Sequence, residues 1–93
     1  MIRKLIDSKS HETNILNCIE EHVELIQAVT KYERYRVLGK YSKLPKLQDN
    51  VLEEIVDCKI SLEILIEMFG FSKEDLQKKY DEKMKRNLER IEK

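Results

Sequence analysis

Ninety-three residues suit one small domain, whose core as a monomer is thin, so that association with a second copy helps stability. With 41% hydrophobic and 39% charged residues, two Gly, one Pro and no Trp, the chain reads as long helices, an all-α protein. The formal net charge of +0 removes any global attraction to nucleic acid or to an acidic membrane surface. No run of 18 or more apolar residues is present, and Met1 to Ser10 lacks the apolar core and cleavage site of a secretory signal, so a cytoplasmic chain with no membrane partner is expected.

In chain order, residues 1–9 read as a leader of unreadable conformation, with Ile2, Leu5 and Ile6 as possible packing residues. Ser8 or Ser10 caps a first helix over about 10–36, in which Ile15, Cys18, Ile19, Leu25, Ala28 and Tyr32 keep a helical apolar period. Within it lies EEHVELIQA. Glu21 borders the apolar arc near Cys18, Leu25 and Ala28, whereas Glu24 leans towards the polar face; by themselves these acids read as a solvated pair. Over 37–49 the period breaks, and Gly39, Pro45 and alternating lysines predict a basic loop. From Lys31 to Lys46 the bases Lys31, Arg34, Arg36, Lys40, Lys43 and Lys46 face only Glu33.

Asn50 with Glu53 resembles a capping box that starts a second helix over 50–69, and Gly70 before Phe71 reads as its glycine stop. Ser72 with Asp75 then caps a third helix over 73–91, striped by Leu76, Tyr80, Met84, Leu88 and Ile91. Lys79, Lys83, Arg86 and Arg90 flank that stripe on one side, a ridge of one sign beside the apolar seam. Cys18 and Cys58 match no metal-binding spacing and read as small buried residues without a disulfide. His11 and His22 read as surface residues, because neither has the company of a metal or nucleophile site.

The second helix organises the chain. Its Glu53, Lys59, Glu63 and Glu67 share a solvent face, but Glu54 and Asp57 share an arc with Cys58, Ser61, Ile64, Leu65 and Met68, so folding carries two carboxylates towards apolar surroundings. Buried charges are paired, neutralised or bound to metal. If the first two helices pack antiparallel, Glu21 faces Asp57, Glu24 faces Glu54, and the basic loop runs back to hang near the carboxylates. Oxygen ligands without His or Cys suit Mg²⁺, with Mn²⁺ possible, and not zinc. Magnesium in turn binds phosphates, which the bases of the loop and the third helix are suited to hold.

Glu20-Glu21-His22-Val23-Glu24 followed by Glu54-Ile55-Val56-Asp57 resembles the EExxE and ExxD signature of the MazG-type all-α nucleoside triphosphate pyrophosphohydrolases. EEHVELIQAVTK, NVLEEIVDCKISLEIL and KMKRNLERI are similar to corresponding stretches of small stand-alone members, so the resemblance covers most of Asn14 to Ile91. It implies Mg²⁺-dependent cleavage of a nucleoside triphosphate between the α and β phosphates, giving a nucleoside monophosphate and pyrophosphate. Glu21, Glu24, Glu54 and Asp57 are then metal ligands, Glu20 an auxiliary or water-orienting carboxylate, and Lys79, Lys83 and Arg86 phosphate contacts. It also implies three main antiparallel helices per chain, completed into a four-helix-bundle-type arrangement by a homodimer or homotetramer. The preferred base stays open, and a related branch hydrolyses phosphoribosyl-ATP.

Two other classes compete. A non-catalytic all-helical dimeric interaction module, using the Tyr32, Tyr35 and Tyr41 cluster or the apolar edge, predicts no need for metal and tolerance of Glu54→Gln. A helical chorismate mutase has comparable length but no use for four acids on facing helices.

Overall fold

The computed structural model describes residues 1–92, and their regular structure is all helical. Helix α1 (Ile2–Asp7) gives way through a tight turn to α2 (His11–Val37), and after a single 3₁₀ turn at Tyr41–Lys43 the chain returns as α3 (Leu44–Phe69). A final helix, α4 (Lys73–Glu92), follows a short break.

Helices α2 and α3 form an antiparallel hairpin, and their facing residues explain why. On α2 the less exposed positions include Asn14, Cys18, Glu21, Leu25, Ala28, Tyr32 and Tyr35; on α3 they include Leu44, Leu47, Val51, Glu54, Cys58, Ser61, Leu65 and Met68. Both series alternate steps of three and four, the spacing of a coiled-coil seam. Small side chains sit at its middle, so the backbones approach closely. The Cys18 thiol donates to the Ser61 carbonyl at 3.5 Å, and the Cys58 thiol donates to the Glu21 carbonyl at 3.2 Å. Both cysteines are buried and free.

The ends of the helices are set by local chemistry. Ser10 caps α2, its hydroxyl accepting from the Thr13 amide at 3.1 Å, and Ser72 caps α4 by accepting from the Asp75 amide at 3.0 Å. Gly70 closes α3 at φ 72°; its amide donates to the Glu67 carbonyl and the Phe71 amide to the Ile66 carbonyl, the paired bonds of a Schellman stop. Gly39, at φ 75°, ends α2 in the same way.

Several expectations are corrected. Residues 1–9, whose conformation the sequence leaves open, hold α1, which packs on α3 with Ile6 buried, the Asn14 amide donating to the Ile6 carbonyl at 3.0 Å, and Arg3 paired with Glu67 at 3.1 Å. The long basic loop over 37–49 is absent, because α3 begins at Leu44 and not at Asn50. Pro45 starts the helix where a proline costs no hydrogen bond, and Leu44 and Leu47 extend the seam. Lys40, Lys43 and Lys46 therefore stay at the hairpin tip. Beyond its acids, α3 also leaves Leu52, Ile55, Val56 and Leu62 exposed on a second apolar face.

The third expected antiparallel helix does not join the other two. All of α4 is exposed, including Leu76, Tyr80, Met84, Leu88 and Ile91, and it makes no extended packing against α2 or α3. Among the described residues no helix is long and apolar enough to cross a membrane.

Candidate metal centre

The antiparallel register brings the acids of the two helices to one level of the hairpin. One carboxylate oxygen from each of Glu21, Glu54 and Asp57 lies within 4.8 Å of the others. Glu21 and Glu54 occupy seam positions and are half-buried; Asp57 is exposed at the edge beside them. One oxygen of Glu21 and one of Glu54 are buried with no hydrogen-bond partner. Leaving a buried acceptor unsatisfied costs about 1–3 kcal/mol, and more for a charged one.

The electrostatics point the same way. Burial, followed by the charges of Asp57, Glu24, Glu54 and Glu20, holds the Glu21 carboxyl above its ordinary value. The Glu54 carboxyl is also raised, by burial first and then by Glu24, Asp57 and Glu53. Burial and the same acids push the Cys58 thiol up, which keeps it a hydrogen-bond donor. The charges raising these groups are all acidic, and no ion pair among the described residues involves Glu21 or Glu54. Oxygen donors, buried lone pairs and surplus negative charge make a donor set whose chemistry fits a small hard cation such as Mg²⁺ or Mn²⁺.

Of the residues singled out from sequence, Glu21, Glu54 and Asp57 converge, and Glu24 stands beside Glu54 while remaining exposed. Glu20 is exposed and is the weakest of the acidic influences on Glu21. Lys79, Lys83 and Arg86 are not brought to the cluster within one chain; they ride on the exposed α4, where Lys79 pairs with Glu82 at 3.6 Å. The hairpin-tip lysines are likewise remote, since Lys46 precedes Glu54 by two helical turns, about 12 Å. His11 is exposed, whereas His22 is half-buried with Nδ1 2.8 Å from the Cys18 carbonyl of its own helix.

One part of the site escaped the sequence. A cleft of about 370 Å³ opens from Glu21 and Asp57 towards the α1–α2 turn, lined there by Leu5, Lys9, Asn17, Ser61 and Ile64. The signal available was slight: Asn17 and Ser61 are polar residues in apolar stripes, but the wall that α1 supplies is a matter of tertiary packing. Comparison with protein-family models, curated proteins and solved structures finds no match for this chain.

Proposed function

We propose that the chain is a Mg²⁺-dependent nucleoside triphosphate pyrophosphohydrolase, converting (d)NTP to (d)NMP and pyrophosphate in nucleotide-pool housecleaning. The observation that carries this reading is the convergence of Glu21, Glu54 and Asp57 within 4.8 Å across two antiparallel helices. The buried, unpartnered oxygens of Glu21 and Glu54 are suited to a cation, and the EExxE and ExxD spacing supplies the kind of chemistry.

In this reading Glu21, Glu54 and Asp57 hold the metal, with Glu24 closing the set from the exposed side. Bound Mg²⁺ supplies charge stabilisation to the phosphates and lowers the pKa of a water. Glu20, on the rim, orients the attacking water. Its oxygen bonds to phosphorus, the α–β anhydride bond breaks, and pyrophosphate leaves. Lys79, Lys83 and Arg86 offer phosphate contacts only if α4 of one protomer reaches the cluster of its partner. Association as a homodimer or homotetramer accounts for this, and α4 and the outer faces of the hairpin supply apolar surface for it.

Product analysis with a panel of ribo- and deoxyribonucleoside triphosphates, in Mg²⁺, in Mn²⁺ and in EDTA, tests the reading. Monophosphate plus pyrophosphate, formed only with metal, is the expected result. Glu54→Gln and Asp57→Asn each lower kcat/KM by on the order of 100-fold or more, because each removes a charge that the metal needs. Full activity in either variant, or orthophosphate as the first product, refutes it. Absence of turnover with every nucleotide, together with no thermal shift on adding Mg²⁺, favours the helical interaction module, whose exposed apolar faces are then its working surface.

A further inference from the structure

The α2–α3 slab has two sides. Glu21, Asp57, Asn17 and Ile64 line a cleft on one of them. On the other, Ile19, Val23, Ile26 and Val29 of α2 are 46–65% exposed. Facing the same way from α3, Leu52, Ile55, Leu62 and Phe69 are 42–61% exposed. Helical spacing turns both rows away from the acids, and a groove of about 420 Å³ joins the two helices there between Ile15, Ile26, Leu65 and Phe69. At about 100 Å² for each side chain, on the order of 800 Å² of apolar surface lies open, against roughly 300–600 Å² for the largest patch on a typical monomer. A standard protein interface takes about 800 Å² from each partner. Lys59 stands at the border of this face, where its long stem can lie on apolar surface with the charge at the rim.

We propose that a second copy of this chain docks on this side of the hairpin, back to back, with each α2 antiparallel to its mate. The same face is present on every copy, so a two-fold axis through it covers both apolar surfaces at once. Charge decides the direction. From His11 to Leu25 the charged groups of α2 other than His are Glu12, Glu20, Glu21 and Glu24; from Ile26 to Val37 they are Lys31, Arg34 and Arg36 against Glu33 alone. Antiparallel mates set the acidic half of one α2 beside the basic half of the other, whereas parallel mates set like beside like. The four helices then make a bundle whose two Glu21–Glu54–Asp57 clusters open on opposite outer sides, each built by one chain and covered by neither hairpin. The docking draws on the apolar face and the charge order of α2, and not on any turnover at the acids.

Sedimentation equilibrium of the full chain tests this with Ile26→Asp, Ile55→Asp and the control Gln27→Asp, next to Ile26 but off the apolar flank. Each aspartate on the face raises the dissociation constant by on the order of 100-fold or more, because docking then buries an unpaired charge, while Gln27→Asp changes it by less than about threefold. All three positions are exposed in the single chain, so circular dichroism of each variant should match that of wild type. Spin labels on Glu12→Cys and Gln27→Cys read the direction, the native cysteines being buried. Antiparallel mates hold like labels on the order of 35 Å apart at Glu12, near the helix end, and under about 20 Å apart at Gln27, near its middle; parallel mates hold both pairs at one spacing. A monomeric wild type, wild-type dissociation constants in both face variants, or equal label spacings overturns the proposal. A dimer with these properties and no triphosphate turnover sinks the pyrophosphohydrolase and leaves the docking face standing; turnover by a monomer does the reverse.

Discussion

Glu21 and Glu54 each keep a buried oxygen that accepts no hydrogen bond, and both carboxyls are raised above their ordinary 4.5 by burial and by neighbouring acids. A carboxyl with a raised folded value takes up its proton more readily in the folded than in the unfolded chain. The stability it contributes is present below the ordinary value and is lost as pH rises through the raised one. In EDTA, the melting temperature should therefore fall over an interval that opens at about pH 4.5, as these two groups ionise. Glu33, lowered by Arg36, acts with the opposite sign, so the comparison that isolates the cluster is wild type against Glu54→Gln. The variant should melt a few degrees higher at neutral pH and show a shallower decline. Added Mg²⁺ should flatten the wild-type decline while leaving the variant nearly unmoved. A wild-type melting temperature that climbs over that interval would mean that the acids are not strained against one another.

Individual helices were legible to the extent that their signals were local. The Ser10 and Ser72 caps and the Gly70 stop are written in side chains next to the bonds they make, and each stands where those residues predict. The start of α3 lies six residues before the predicted one, because Asn50 and Glu53 mimic a capping box while Pro45, a residue common in loops, serves here in the first turn. Tertiary facts were beyond reach: α1 is held by the burial of Ile6, one asparagine and one ion pair, and nothing in the spacing of Leu76 to Ile91 says that α4 stands clear of its own hairpin. The convergence of Glu21 with Asp57 was readable once antiparallel packing was assumed, because the step of three in each helix fixes the facing rows. Two substitutions probe the local devices. Ser10→Ala should lower stability by about 1 kcal/mol in urea denaturation, the usual loss of an N-cap. Gly70→Ala should cost about 1–2 kcal/mol, and since nothing lies within 4 Å of where the new Cβ stands, that cost is wholly the φ of 72°. Unchanged midpoints would show that these ends fray without consequence.

At the scale of the molecule the dimensions are those of a part, not of a finished globule. The radius of gyration is 17.0 Å, against about 12 Å for a compact chain of this length. Extents of 45 × 43 × 19 Å describe a slab about two helices thick, since a helix with its side chains is roughly 10 Å across. Among the described residues no side chain is fully buried, and Tyr80, Met84 and Leu88 are exposed. Stacking on a second such slab would cover these faces, which is the association proposed above. Light scattering should give a mass of at least twice 11.2 kDa, and the melting temperature should rise with protein concentration. Met84→Asp, on the exposed stripe, should shift the particle towards monomer and lower its melting temperature, whereas Lys85→Asp, one residue away on the outer face, should do neither. A monomer of 11.2 kDa with concentration-independent melting would refute the association.

Gly70 then acquires a mechanical meaning. Between the Gly70 stop of α3 and the Ser72 cap of α4 lies only Phe71, so the joint is short and α4 is a lever of about 30 Å. Turning that lever by about 10° swings its far end sideways by roughly 5 Å, about half the distance between packed helices. A partner gripping the far end would be carried sideways with it, nearer to the hairpin or farther from it. The angle at one glycine thus sets how far the basic ridge of α4 stands from the hairpin, and altering it can move a charged surface without changing a single charged residue.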